Sequence, residues 1–310
     1  MLAARAGARR VYAIEANPEA ARRAREVTAA AEGVPFGTIE VIDGFSTAIT
    51  LPERADLLVA EIVGSVASEE GLIQTMRDAQ QRHLKRPFDP ASYIPQRVQT
   101  LCAPASYILT SLLRPPHSER DFAASLHGAP VRVGCADAAV QLLSGPKPCE
   151  DFQFHRGVLP ADAGSAASLA FVVDAGRLAH SAATHVDGLG PSLLALPGLG
   201  CSEALVATLA RRLAHTFAGV ACWPRLVLDG GERGEAPLVV DGDSYGGHAE
   251  SHWQKLMPLL ALRPLSVRAG DEVRVIFQAS LSSGDVDASV SYAMHGELWP
   301  AELRAGGAGE

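Results

Sequence analysis

Two glutamates nine positions apart, Glu61 and Glu70, bracket the segment Glu61-Ile-Val-Gly-Ser-Val-Ala-Ser-Glu69-Glu70. Two carboxylates facing one pocket suit a planar, permanently cationic group, because a guanidinium can donate charge-assisted forks to carboxylates on two sides. The same residues also suit a helix start, with Glu69 and Glu70 favoured by the macrodipole and Ser65 or Ser68 as N-cap. The surroundings bear on the choice. Ala55–Ala60 is an apolar run that reads as a buried strand, and Gly71 to Leu84 reads as a helix. That order sets the acids at the carboxyl end of a strand, where open α/β sheets bind their ligands.

The elements that must hold these acids follow a pattern. Val11–Glu15 reads as a short strand ending in an acid. Pro18 to Ala31 reads as a helix, with Asn17 as N-cap and Pro18 at the first helical position. Thr38–Ile42 is the next strand, closed by Asp43-Gly44. Strands separated by helices imply a parallel sheet. The character changes at Lys85–Pro95. Beyond it come short alternating runs: Val98–Ala103, Leu169–Val173, Arg225–Leu228, Leu238–Val240, Val273–Ala279 and Ala288–Met294. This is an all-β pattern, interrupted by a helical stretch at Ser202–His215. The expected fold class is therefore α/β plus β, with a domain at residues 1–95 and a β-barrel-like domain at 96–310. The tail after Arg304, rich in Gly and Ala, is expected to be disordered.

Composition narrows the function classes. The chain has 310 residues, 47% hydrophobic and 20% charged, enough for two cores. A formal net charge of −8 argues against nucleic acid or anionic membrane as a main partner and permits a cationic substrate. No apolar run approaches the roughly 18 residues of a membrane span. The five cysteines are spread and form no Cys-x-x-Cys, so neither a disulfide framework nor a metal site is expected, and a reducing compartment is the default. His248 and His252 lie four apart without the glutamate of a zinc-protease motif.

Taken together, these residues resemble the protein arginine methyltransferase family. Val-Tyr-Ala-Ile-Glu15-Ala-Asn17 is similar to the family's ribose-binding acidic segment, and Glu61 through Glu70 to its double-glutamate loop. Ser251-His252-Trp253-Gln254 resembles its Thr-His-Trp loop, with Ser in place of Thr. Thr216–Gly219, Arg225–Leu228 and Leu265–Val273 resemble its C-terminal barrel. The Gly-Ser-x-Ala wording of the loop is closer to the symmetric-dimethylating branch and the His-Trp pair to the asymmetric one, so the branch stays open.

The resemblance implies methyl transfer from S-adenosylmethionine to arginine-containing proteins, in the cytoplasm or nucleus. It assigns catalysis to Glu61, Glu70 and His252 and a substrate wall to Trp253. Glu15, Asp43, Gly44, Ser46 and Thr47 become the cofactor-binding set, with Ser46 or Thr47 standing where the family often carries a glutamate for the base. It also implies a homodimer, with Arg114–Gly128 as the candidate arm. The family's glycine-rich cofactor loop would fall before Met1, so an N-terminally truncated or non-catalytic, regulatory member is the alternative. A remoter one is a serine hydrolase through Ser244 in Gly242-Asp-Ser-Tyr-Gly246, although no helix is expected after that motif.

Overall fold

Local chemistry sets the first elements. Helix α1 (Leu2–Arg5) ends before Gly7, whose φ of +97° suits glycine. Strand β1 (Val11–Glu15) leads to α2 (Pro18–Ala29). The Asn17 side chain accepts the amides of Glu19 and Ala20 at 3.0 and 3.1 Å, so this N-cap stands as expected. Strand β2 (Ile39–Asp43) pairs parallel with β1, in a register that aligns Glu15 with Asp43. The computed structural model describes residues 1–107, 130–135, 140–159, 164–194, 202–230, 236–242, 253–258, 260, 264–281 and 290–302.

The third strand is shorter than the apolar run suggested. Strand β3 covers only Leu58–Val59 and pairs parallel with β4 (Tyr93–Ile94) rather than with β1 or β2. Pro95 follows at once and has no amide to extend the ladder, so Ala60 N–H to Ile94 O is its last bond. Ala55 keeps a parallel bridge to Leu84. Helix α3 (Leu72–Asp78) starts from Gly71, which is left-handed at φ +76°. Neither Ser65 nor Ser68 caps it, which corrects the helix-start reading. The chain then widens into a π-helical turn, Ala79–His83, rather than continuing as α-helix to Leu84. The wider turn seats the buried Gln80 amide against the Phe154 and Gly157 carbonyls at 2.6 and 2.9 Å.

The remaining elements are mostly antiparallel strands. In chain order they are β5 (Arg97–Tyr107), β6 (Val131–Gly134), β7 (Val140–Leu142), β8 (Lys147–Gln153) and β9 (Ser165–Val172). Two helices follow, α4 (Ala175–Leu194) and α5 (Glu203–Ala214). Then come β10 (Thr216–Phe217), β11 (Gly219–Asp229), β12 (Leu238–Asp241) and β13 (Gln254–Met257). The last are β14 (Leu265–Ser266), β15 (Glu272–Leu281) and β16 (Val290–Trp299). One sheet runs β6-β13-β11-β5-β7, with β12 added to β11 and β8 to β5, and a second runs β16-β15-β9. The fold is thus α/β with parallel pairs, followed by a β-barrel-like part.

Helix α4 lies outside the sequence expectation. Its Gly176, Gly188, Gly190 and Pro191 read as breakers, yet it buries Leu178 and Ser181 one turn apart and packs on α5. Packing outweighs local propensity here. Between the two sheets, one core gathers Cys102, Cys149, Cys222, Phe171, Phe217 and Phe277. A second core joins Val63, Ala67, Leu72 and Met76 to Val98, Phe154 and Leu226. The segment carrying the paired glutamates is therefore anchored in a core shared with the barrel strands. Among the described residues, Cys102, Cys135, Cys149 and Cys222 are buried and in no disulfide.

Candidate functional site

The Glu61–Glu70 loop is built from the inside out. Val63 and Ala67 turn inward and are essentially inaccessible, which leaves Glu61 and Glu70 on the outer side of the turn. Ser65 N–H donates to Glu69 Oε2 at 3.1 Å and Glu69 N–H to Val66 O at 2.9 Å, closing the loop on itself. Gly64 permits this closure. A Cβ there would lie 2.5 Å from Glu69 Oε2 and 2.8 Å from its Cβ. From β6, Arg132 donates one nitrogen to Ser65 Oγ at 3.0 Å and the other to Glu69.

Glu61 and Glu70 line one cavity of about 410 Å³, together with Glu69, Arg132, Trp253 and the Gly64-Ser65 backbone. Among the described lining residues, three carboxylates stand against one guanidinium, a lining that favours a cation. Trp253 is partly buried between two cores and donates its indole N–H to Val63 O at 2.9 Å. It is both a cavity wall and a packing residue. Glu69 and Arg132 were not singled out from sequence. Glu69 sits beside the expected acid without the expected spacing, and Arg132 comes from a strand 63 residues away.

The candidate cofactor residues lie at the carboxyl ends of β1 and β2. Glu15 and Asp43 are register partners there, so their two carboxylates sit at adjacent strand ends. Glu15 Oε1 accepts the Asn17 amide at 2.8 Å, and Gly44 N–H donates to the Glu15 carbonyl at 2.9 Å. Gly44 has φ +142°, and a Cβ there would approach Ile49 Cγ2 to 3.3 Å. Ser46 and Thr47 follow in the same loop, but the group in use is the Ser46 carbonyl. It accepts Arg82 Nη2 at 2.7 Å and contacts His83 Nε2 at 3.0 Å. Asp78 holds both of those bases from below, at 2.5 and 3.0 Å. Arg82 and His83 are buttresses that sequence reasoning missed, because only the π-turn brings them to one loop. A ribose hydroxyl suits an acid at a strand end, and Glu15 is of that type and place.

His252 and Ser244 lie outside the described residues, as does the candidate arm Arg114–Gly128. Gly188 and Gly190 fall inside α4, so the Gly-x-Gly there forms no turn between strand and helix.

No protein-family model matches the chain. It is 42% identical over 86 residues to the probable histone-arginine methyltransferase 1.4 of Arabidopsis thaliana, which is 27% of this chain and 16% of that protein. It is 37% identical over 82 residues to protein arginine N-methyltransferase PRMT10 of Oryza sativa subsp. japonica, 26% of this chain and 21% of that one. The matches thus span about a fifth or less of the relatives' lengths. Among solved structures, protein arginine methyltransferase 10 of Arabidopsis thaliana superposes with a TM-score of 0.58 at 15% identity, over 95% of this chain and 84% of that one. The PRMT1 enzyme–prozyme heterotetrameric complex of Trypanosoma brucei with AdoHcy gives 0.59 at 16% identity, over 96% and 84%. The chain shares the fold of these protein arginine methyltransferase structures along nearly its whole length and resembles the curated relatives in sequence along about a quarter of it.

Proposed function

We propose that this protein is an arginine N-methyltransferase that binds the guanidinium of a protein substrate between Glu61 and Glu70 and uses S-adenosylmethionine as donor. One observation carries the reading: both glutamates line a single cavity beside Trp253. A free guanidinium is a poor nucleophile, since its pKa exceeds about 12. Glu61 and Glu70 counter this by taking charge-assisted bonds from the guanidinium. They draw its positive charge toward two nitrogens and orient the third. Trp253 excludes water from one side and presents a face over which a guanidinium can stack. Glu61 and Glu70 are also acceptors for the proton lost on transfer, with His252 as a further base.

Bound S-adenosylmethionine supplies the electrophilic methyl group. Glu15 and Asp43 would accept the ribose hydroxyls, while Gly44, Ser46 and Thr47 flank the base. The known neighbour solved with AdoHcy supports this choice of donor. Arginine-containing proteins of the cytoplasm or nucleus are the substrates in this reading, and the working unit is a homodimer.

The test is Glu61→Gln. It should abolish methylation of an arginine peptide while leaving S-adenosylmethionine affinity within about twofold, since the amide keeps shape and removes charge. Parallel loss of cofactor binding would mean that Glu61 is structural, and the reading would fall.

A further inference from the structure

Glu150, on β8, is a buried carboxylate that the proposed chemistry does not use. It is 2% exposed. Among the described residues it forms no ion pair, and its partners are three hydroxyls. Ser68 Oγ donates to Oε1 at 2.6 Å, Ser165 Oγ to the same oxygen at 3.0 Å, and Thr100 Oγ1 to Oε2 at 2.6 Å. A carboxylate can only accept, so it fixes the direction of every bond behind it. Thr100 has given its proton to Glu150, and its oxygen is free to accept the Ala67 amide at 2.7 Å. Ser68 has likewise given its proton away, so in the 3.0 Å contact with Tyr292 the phenol is the donor. Burial raises the Tyr292 pKa above its ordinary value, with Glu150 and Glu69 adding to the effect against the Ser68 bond. The phenol thus stays a donor at neutral pH.

These bonds converge on Ala67 and Ser68, the two residues that lead into Glu69 and Glu70. They come from β5, β8, β9 and β16, so four strands of the barrel hold one end of the loop. Arg132 and Trp253 hold the middle, at Ser65, Glu69 and Val63. Among the described residues, the α/β side carries no comparable set of side-chain bonds to Ala67 or Ser68. We infer that Glu150 is a positioning residue for the arginine pocket, orienting Glu70 through polarised hydroxyl relays at Ser68 and Thr100. This rests on the arginine-methyltransferase reading of the cavity, but the relay itself is testable without it.

Glutamine in place of Glu150 keeps the shape and reverses one end. Its amide nitrogen would meet a hydroxyl that already has a donor on its other side, leaving one proton without an acceptor. Deuterium exchange of the full chain reads the relay directly. Glu150→Gln should speed exchange in peptides covering Val66 to Glu70 by about tenfold, the scale of one lost bond to a charged acceptor. Exchange in β11 should be unchanged. In activity assays the variant should raise KM for an arginine peptide by about tenfold and leave S-adenosylmethionine affinity unaltered. Ser68→Ala, which keeps Glu150 and is the milder change, should give the same pattern at smaller size. Its effect should not add to that of Glu150→Gln.

Unchanged exchange in the loop, or faster exchange throughout the barrel, would overturn the positioning role. So would a peptide KM that does not move. If the wild-type chain binds no arginine peptide while the exchange pattern holds, the relay stands and the substrate reading alone fails.

Discussion

Trp253 Nε1 donates to the Val63 carbonyl across 2.9 Å, so a wall of the cavity is tied directly to the glutamate loop. Trp253→Phe keeps an apolar ring and removes that donor. The buried carbonyl is then unsatisfied, and the loss should be about 1–3 kcal/mol in urea unfolding. Affinity for an arginine peptide should drop alongside. A variant as stable as the parent would show that the bond does not couple the two.

Arg132 pairs with Glu69, one of the three acids that line the cavity with it. Arg132→Gln releases that carboxylate from its ion pair. Global stability should change by less than about 1 kcal/mol, since both partners are partly exposed. Selectivity should change more. A released Glu69 suits a compact ammonium as well as a planar guanidinium. Binding of an arginine peptide and its lysine counterpart, measured by fluorescence anisotropy, should show the preference for arginine shrinking. An unaltered ratio would count against this role for Arg132.

Gly64 is set by space, since its backbone is not in the left-handed region. A methyl group there meets the Glu69 side chain at 2.5 and 2.8 Å, and the Cβ of Glu69 cannot swing aside. Gly64→Ala should cost about 1–3 kcal/mol as an overpacked position and weaken arginine-peptide binding by dislodging Glu69 from Arg132. Chemical denaturation and peptide titration on the same sample would test both effects. Wild-type behaviour in both would mean that the loop yields more easily than its packing implies.

Tyr93 supplies a pH dependence. Burial pushes its phenol from 10.0 to about 12, while its O–H donates to Pro87 O at 2.6 Å. A group whose folded pKa is raised adds stability that is complete below its unfolded value. That stability is therefore full below pH 10.0 and is lost as the pH climbs to about 12. Tyr93→Phe should remove this component of alkaline destabilisation. The stability difference between parent and variant should shrink between those two pH values, as read by urea titration. A constant difference would place the phenolate in water.

What was legible in the sequence follows from what is local. Asn17 and Pro18 announced α2, and the alternation of Val273–Ala279 announced β15, because caps and periodicities are written into neighbouring residues. The acids Glu61 and Glu70 were legible by type and spacing and Trp253 through the resemblance of its loop, and the three line one cavity. Hidden were the groups that hold them. Arg132, Glu150, Arg82 and His83 carry no local signal, and their partners are chosen by tertiary contact. Helix α4 was hidden for the opposite reason: its local signals, glycine and proline, point away from the helix that packing enforces. The two-residue β3 was overread, since an apolar run does not reveal how short its partner strand is.

The bonds at Ala67, Ser68 and Glu69 have a consequence for engineering. Their partners outside the loop lie from 33 to 224 residues away along the chain. Residues 58–71, transplanted onto another methyltransferase sheet, would bring the acids and leave their mould behind. A working graft would have to move Thr100, Arg132, Glu150, Ser165, Trp253 and Tyr292 with them. The portable module is a loop with six distant fingers around it, and its natural unit of exchange is nearly the whole protein.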